Sequence, residues 1–141
     1  MKKEKILLLG LDGATFEILN PLFEKKLLPN LAKIMAERVS GELESTIPPI
    51  SVPAWPCFLT GMNPGKLGFF DFMQRDNDYK LKPFDSSVIK GKTILDILSK
   101  SNYGFKVGSI NVPSTYPPHP INGFIISGID TPSDECDYTY S

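Results

Sequence analysis

The sequence is poor in the side chains from which most metal and thiol sites are built. Its 141 residues include one histidine, His119, and two cysteines, Cys57 and Cys136. A zinc cluster of cysteine and histidine is excluded by count, so a metal site in this chain must use mainly carboxylates and hydroxyls. The cysteines lie far apart and form no C-x-x-C motif, which favours a reduced, cytoplasmic setting.

An excess of charge of either sign is also absent. The 15 basic and 16 acidic side chains leave a formal net charge of -1, which argues against a nucleic-acid surface and against an acidic tail. The apolar run at residues 6–9 is soon followed by Asp12 and is too short for a signal peptide or a membrane span. We therefore expect a globular protein that binds neither nucleic acid nor membranes.

Proline, by contrast, is abundant. The chain has 13 prolines, and most of them fall in two stretches, residues 48–64 and 113–132. Such stretches must be irregular or sharply turned. Long irregular segments of compact domains are more often functional than idle, so both stretches are candidates for a site.

Strand and helix signals alternate along the chain and predict an α/β fold with a largely parallel sheet. Strands are expected at residues 5–11, 40–47, 105–112 and 123–127, the first of them a continuous apolar run typical of a buried parallel strand. Helices are expected at residues 16–23 with a break at Pro21, from Pro29 onward, at residues 54–60 with Gly61 at the end, and at residues 93–100.

Asp12 is the first candidate functional residue because it follows the first predicted strand. Ligands bind at the carboxyl edge of open α/β sheets, and the flanking Gly10 and Gly13 allow a tight turn that leaves the carboxylate accessible. The alternative is that Asp12 caps the next helix. No G-x-G-x-x-G motif accompanies it, so a dinucleotide-binding fingerprint is absent.

Ser51 is the second candidate, just before a helix that Pro53 is expected to start. Free backbone N–H groups and the helix dipole favour a phosphate there, although on spacing alone a plain N-cap is the simpler interpretation. A serine hydroxyl is a weak nucleophile until a base or a metal activates it. No histidine is near in sequence, so metal activation is the available route.

These motifs, in this order, resemble the N-terminal part of the type I phosphodiesterase/nucleotide pyrophosphatase family, within the alkaline phosphatase superfamily. The matching segments are GLDG at residues 10–13, ISVPAW at 50–55 and LTGMNPGK at 59–66. A further stretch, NVPSTYPP at 111–118 followed by NGF at 122–124, resembles prokaryotic members. The resemblance implies a doubly wound, mostly parallel sheet and a phosphoric ester hydrolase with two divalent ions, usually zinc, with manganese as the alternative.

The resemblance also assigns roles. Asp12 falls on a metal ligand, and Ser51 falls on the nucleophile, which also coordinates the ion held by the aspartate. The nucleophile attacks the phosphate of a small-molecule ester in line, a covalent phospho-enzyme forms, and water hydrolyses it. The family's further ligands come from Asp-His and Asp-His-Gly motifs that this chain lacks. We therefore expect residues 1–141 to be the N-terminal portion of one alkaline-phosphatase-like domain, incomplete and nearly inactive alone.

Two positions depart from the family's pattern. Leu67 stands where members commonly have histidine, and Phe72 stands where nucleotide pyrophosphatases place a phosphate-binding asparagine. A pyrophosphatase-like substrate preference is therefore not implied, and the adjacent Asp71 is a weaker candidate for the site.

For several other residues we expect an ordinary structural role. Asp130 follows the last predicted strand and is expected to serve a turn more often than a site. His119, between two prolines, is expected to be an exposed loop residue, and Cys57 to be buried and inert. The aromatic group is expected to pack in the core rather than line a substrate wall; it comprises Trp55, Phe58, Phe69, Phe70 and Phe72.

Two other functions stay open at this point. One is a non-catalytic α/β ligand-binding or interaction module, in which Asp12 and Ser51 are simple helix caps. The other is a metal-dependent phosphomutase, which shares the same core constellation. An incomplete sheet would expose an apolar edge, so a homo-oligomer is also open.

Overall fold

The computed structural model describes residues 5–76, 78–84 and 86–141. The chain divides into two compact units, Met1–Glu44 and Ser45–Ser141. The first contains two helices, α1 (Phe16–Glu24) and α2 (Pro29–Glu37). Pro29 occupies the first turn of α2, as expected, because proline costs no hydrogen bond where the helix has no partner for the N–H.

Helix α1 corrects one prediction about proline. Pro21 was expected to break or restart the helix, yet α1 runs through it, and the Pro21 carbonyl accepts from the Lys25 N–H at 3.2 Å. Proline removes only its own N–H from the hydrogen-bond ladder. The helix therefore gives up one bond and continues.

Two of the four predicted strands are not formed. Residues 5–11 and 40–47 have no strand pairing, and their apolar side chains are exposed, with Ile6 at 93% and Leu43 at 94% of full exposure. A strand exists only when a neighbour accepts its backbone hydrogen bonds. Within the described part of the first unit no strand is present, so residues 5–11 have no partner there.

The second unit begins with helices and a hairpin. Helix α3 (Ser51–Thr60) ends at Gly61, which takes the left-handed conformation with φ 67°, as the sequence predicts. A short helix α4 (Pro64–Leu67) follows, and the antiparallel hairpin β1 (Met73–Arg75) and β2 (Leu81–Pro83) comes next. A 3-10 turn (Ser86–Val88) and helix α5 (Ile94–Ser99) lead into the second sheet.

That second sheet has the strand order β3-β4-β5, built from β3 (Val107–Val112), β4 (Gly123–Ser127) and β5 (Thr139–Tyr140). Strands β3 and β4 are parallel, from the pair Val107–Gly123 onward, and β5 adds antiparallel to β4. The predicted strands at residues 105–112 and 123–127 are thus confirmed. The observed architecture is mixed α/β with small sheets.

The core of the second unit is apolar, and its residues come from α3, α4 and the segments that flank the hairpin. Its buried members are Val52, Leu59, Leu67, Phe69, Phe84 and Ile89. The rings of Phe69 and Phe84 meet edge to face, with centroids 4.3 Å apart. Core packing therefore holds for Phe69, whereas Phe58, Phe70 and Phe72 remain about half exposed.

Candidate functional site

Asp12 lies in an exposed turn that leads into α1. The neighbouring Gly13 has φ 68°, a left-handed conformation that glycine adopts without a steric penalty, and its carbonyl accepts from the Thr15 N–H at 3.0 Å. Thr15 holds the N-cap position of α1. The alternative role for Asp12, as the N-cap residue of this helix, is therefore not the one observed.

Ser51 is the first residue of α3 and is half-buried. Ile50 holds the N-cap position, and its carbonyl accepts the first intrahelical bond, from the Ala54 N–H at 3.1 Å. Ser51 is thus one residue inside the helix rather than its cap. The first turn of a helix directs backbone N–H groups outward and carries the positive end of the helix dipole, so an anion beside this hydroxyl is favoured.

The two candidates belong to different compact units. Asp12 lies in Met1–Glu44, whereas Ser51 lies in Ser45–Ser141. Among the residues that the structure describes, no group of three or more histidine, cysteine, aspartate or glutamate side chains could hold a metal ion. Asp12 and Ser51 each carry an oxygen of the kind that suits a divalent cation.

The structure shows what surrounds Leu67 and Asp71, which lie at or beside the positions that depart from the family's pattern. Leu67 is 8% exposed and packs in the apolar core, so the chain uses this position for burial. Asp71 is exposed, and its Oδ1 accepts from the backbone N–H of Phe72 at 2.6 Å. The observed contact of Asp71 is therefore a local one with its own backbone.

Asp130 stabilises the second proline stretch. Its Oδ1 accepts from the Ser114 N–H at 3.0 Å, and its Oδ2 accepts from the Tyr116 N–H at 3.1 Å. Ser114 has φ 67°, and such a conformation is costly for a residue with a Cβ unless its surroundings hold it. The carboxylate thus fixes a strained loop, which agrees with the turn role expected of it.

The prediction that His119 is an exposed loop residue is wrong. It is buried, at 7% exposure, and its Nε2 lies 2.9 Å from Oδ1 of Asp96, which is itself buried in α5. Asp96 closes a capping box at the start of that helix, where its Oδ2 accepts from both the backbone N–H and the hydroxyl of Thr93. His119 therefore joins the second proline stretch to α5.

The electrostatics of this pair follow from its partners. Burial by itself raises the pKa of Asp96, but hydrogen bonds from Thr93 and the interaction with His119 outweigh burial, so the pKa lies below its ordinary value. The carboxylate is thus held charged. The other ring nitrogen of His119, Nδ1, is buried and has no hydrogen-bond partner among the residues that the structure describes.

Both cysteines are free thiols. Cys57 packs against the apolar core, and burial raises the pKa of its thiol, which suits the inert role expected of it. In Cys136 a hydrogen bond from Ser133 lowers the pKa of the thiol.

Comparison with protein-family models matches residues 6–141 to the type I phosphodiesterase / nucleotide pyrophosphatase model. The chain belongs to the type I phosphodiesterase/nucleotide pyrophosphatase family. The match begins before Asp12, and it extends through Ser51 and the second proline stretch. No curated protein and no solved structure matches the chain. A search of the described residues finds no helix long and apolar enough to cross a membrane.

Proposed function

We propose that this chain carries part of the active site of a metal-dependent phosphohydrolase. The observation that supports the proposal is the family match over residues 6–141, which includes both Asp12 and Ser51. In this proposal Asp12 is a ligand of one of two divalent ions, zinc or manganese, and Ser51 is the nucleophile and a ligand of the same ion. When bound, the ions would polarise the phosphate and favour the ionised serine hydroxyl.

The proposed reaction has two displacements. The Ser51 oxygen, having lost its proton, forms a bond to phosphorus, while the bond from phosphorus to the ester oxygen breaks. The departing alkoxide takes a proton and leaves as an alcohol. Water then attacks the same phosphorus and releases phosphate, or a phosphate monoester when the substrate is a diester, and the Ser51 hydroxyl is restored.

The position of Ser51 supports its role in this scheme. It begins a helix of ten residues, and the positive end of the helix favours the developing negative charge on phosphate oxygens. Buried prolines at positions 53 and 56 hold the helix start against the core. A hydroxyl on a rigid element reaches a phosphate with less reorganisation than one on a loop.

The remaining expectations belong to the same proposal. The parallel pair β3–β4 fits as a fragment of the doubly wound, alkaline-phosphatase-like sheet. The substrate would be a small-molecule phosphate ester, the setting the reducing cytoplasm, and the missing ligands would come from polypeptide other than these residues. Two free cysteines fit that setting.

The test is hydrolysis of chromogenic phosphate monoesters and diesters by the gene product that carries this sequence, with zinc or manganese added. We expect Ser51→Ala to lower kcat by at least about 1000-fold, because a nucleophile acts as a unit with its activating groups. Ser40→Ala, at an exposed position of the first unit, is the matched control and should leave kcat unchanged. Unchanged activity in Ser51→Ala would remove Ser51 from the mechanism.

A separate measurement tests the proposal that this chain carries only part of the active site. The 141-residue chain alone, assayed under the same conditions, is expected to show turnover no higher than a metal-only blank. Substantial metal-dependent hydrolysis by the purified chain would overturn the proposal that ligands are missing.

A further inference from the structure

A shallow pocket of about 430 Å³, largely open to solvent, lies in the second unit beyond the carboxyl ends of β3 and β4. The residues that give it its chemistry are Asn111, Ser127, Thr131, Ser133, Asp134 and Tyr138. Ligands of open α/β folds bind beyond this end of parallel strands, and the volume falls within the range of small-molecule sites. The proposed hydrolase function assigns no role to any of these residues.

The backbone fixes the floor of the pocket. The register of β3 against β4 shifts at Asn111, which has φ 55°, and then resumes where Val112 pairs with Ser127. At Gly128 a Cβ atom would lie 2.2 Å from the Val112 carbonyl oxygen, so no other residue fits without moving a strand. The strand ends therefore fix one side of the pocket, and residues 131–138 form the other side.

Two of the hydroxyls that line the pocket are used as donors within the protein, and a third, Ser133 Oγ, accepts from the Glu135 N–H at 3.3 Å. Ser127 Oγ donates to the Thr115 carbonyl at 3.2 Å, and Thr131 Oγ1 donates to the Gly128 carbonyl at 2.8 Å. A hydroxyl has one proton and two lone pairs. With the proton committed, each oxygen offers a ligand an acceptor, so the pocket is complementary to a molecule that carries hydrogen-bond donors.

The charge of the pocket also favours a positively charged ligand over an anion. Asp134 is exposed and negative, and none of the lining residues that the structure describes is basic. The sequence contains no lysine or arginine after Lys106. An anion would meet a carboxylate with no compensating cation, so phosphate and sulfate are disfavoured here.

We propose that this pocket binds a small primary ammonium group, such as the protonated amine of an amino alcohol. The ammonium group offers three N–H donors to the hydroxyl oxygens and a positive charge to Asp134. Tyr138 and Ile126 also line the pocket and offer apolar surface to the short hydrocarbon part of such a ligand. The binding is independent of the hydrolase activity proposed for Ser51, so either can fail without the other.

The test is a titration of the 141-residue chain with ethanolamine at neutral pH, followed by amide shifts in ¹H–¹⁵N spectra. Shifts are expected to concentrate at Ser127, Gly128 and Thr131. Asp134→Asn should raise the dissociation constant about 1.4-fold to fivefold, the range for one exposed charge pair. Asp78→Asn, at an exposed turn outside the pocket, is the matched control and should leave the dissociation constant unchanged.

Two related ligands test whether the pocket recognises both the positive charge and the N–H donors of the ammonium group. Propanol, which is neutral, and choline, which has no N–H donor, should shift the same amides much less than ethanolamine does. Equal shifts from either ligand would overturn the proposal, as would shifts spread over the surface or an equal response of Asp134→Asn and the unmodified chain.

Discussion

Asp96→Asn tests the buried pair that joins α5 to the second proline stretch. The substitution keeps the shape of the side chain but replaces one acceptor oxygen with an NH₂ donor. Oδ2 accepts from the Gly91 and Thr93 N–H groups and from the Thr93 hydroxyl, and Oδ1 faces His119 Nε2 at 2.9 Å. With the NH₂ group at the Oδ2 position, it faces the three donors of Gly91 and Thr93; with the NH₂ group toward His119, it is accommodated only when Nε2 carries no proton.

The size of the effect follows from burial. His119 accepts from the new amide only in the tautomer that carries its proton on Nδ1, a buried atom with no hydrogen-bond partner among the residues that the structure describes. Hydrogen bonds to charged groups contribute about 1.5–3 kcal/mol each, and the substitution disrupts either the bonds that Asp96 accepts from Gly91 and Thr93 or its contact with His119. We expect Asp96→Asn to lower the free energy of unfolding by about 3 kcal/mol.

The assay is urea unfolding followed by the fluorescence of Trp55, the single tryptophan, which lies in the same unit as α5. Asp78→Asn is the matched carboxylate-to-amide control and should change stability by less than about 0.5 kcal/mol. In a double-mutant cycle with His119→Ala we expect a coupling of at least about 1 kcal/mol. A cost below about 1 kcal/mol, or strictly additive costs, would refute the interaction.

The same pair predicts a pH dependence with a definite sign. Because the pKa of Asp96 is lower in the folded state than its ordinary value, the charged carboxylate stabilises the fold above that ordinary value. This contribution is lost as the pH falls below about 4 and passes through the folded-state value. The stability of Asp96→Asn should therefore fall less steeply in acid, and identical acid slopes would contradict the assignment.

Two further substitutions test the fold locally. Gly128→Ala places a Cβ 2.2 Å from the Val112 carbonyl and should cost about 3 kcal/mol in urea unfolding, whereas Gly65→Ala, with its nearest contact at 3.5 Å, should not destabilise. Asn63→Ala removes the side-chain acceptor of the Lys66 N–H at the start of α4 and should cost about 1 kcal/mol by the same assay. A neutral Gly128→Ala or a neutral Asn63→Ala would show that the respective contact is not formed.

The elements that the sequence predicted well carry their determinants locally. Gly61 ends α3 through its own left-handed backbone, and Thr93 starts α5 through a capping box with Asp96, three residues further on. Strand β4 is a short apolar run between turn-forming residues, and its bounds, Gly123–Ser127, are those predicted. Each of these signals depends only on residues that are close together in the sequence.

The features that the sequence missed depend on distant partners. His119 lies between prolines, a pattern typical of an exposed loop, and nothing near it indicates that Asp96, 23 residues earlier, receives it. The apolar run at residues 5–11 has the composition of a strand, but a strand requires a pairing neighbour. The roles of Asp12 and Ser51 remain predictions, because family resemblance identifies the residues but not their ligands.

The most direct test of the central claim is the detection of the phospho-enzyme. The gene product that carries this sequence is incubated with a phosphate monoester and zinc, quenched in acid, digested and analysed by mass spectrometry. The proposed mechanism predicts phosphoserine at Ser51, which is lost in Ser51→Ala and retained in Ser40→Ala. Ester hydrolysis with no phosphate on Ser51, or with the phosphate on another residue, would contradict the claim.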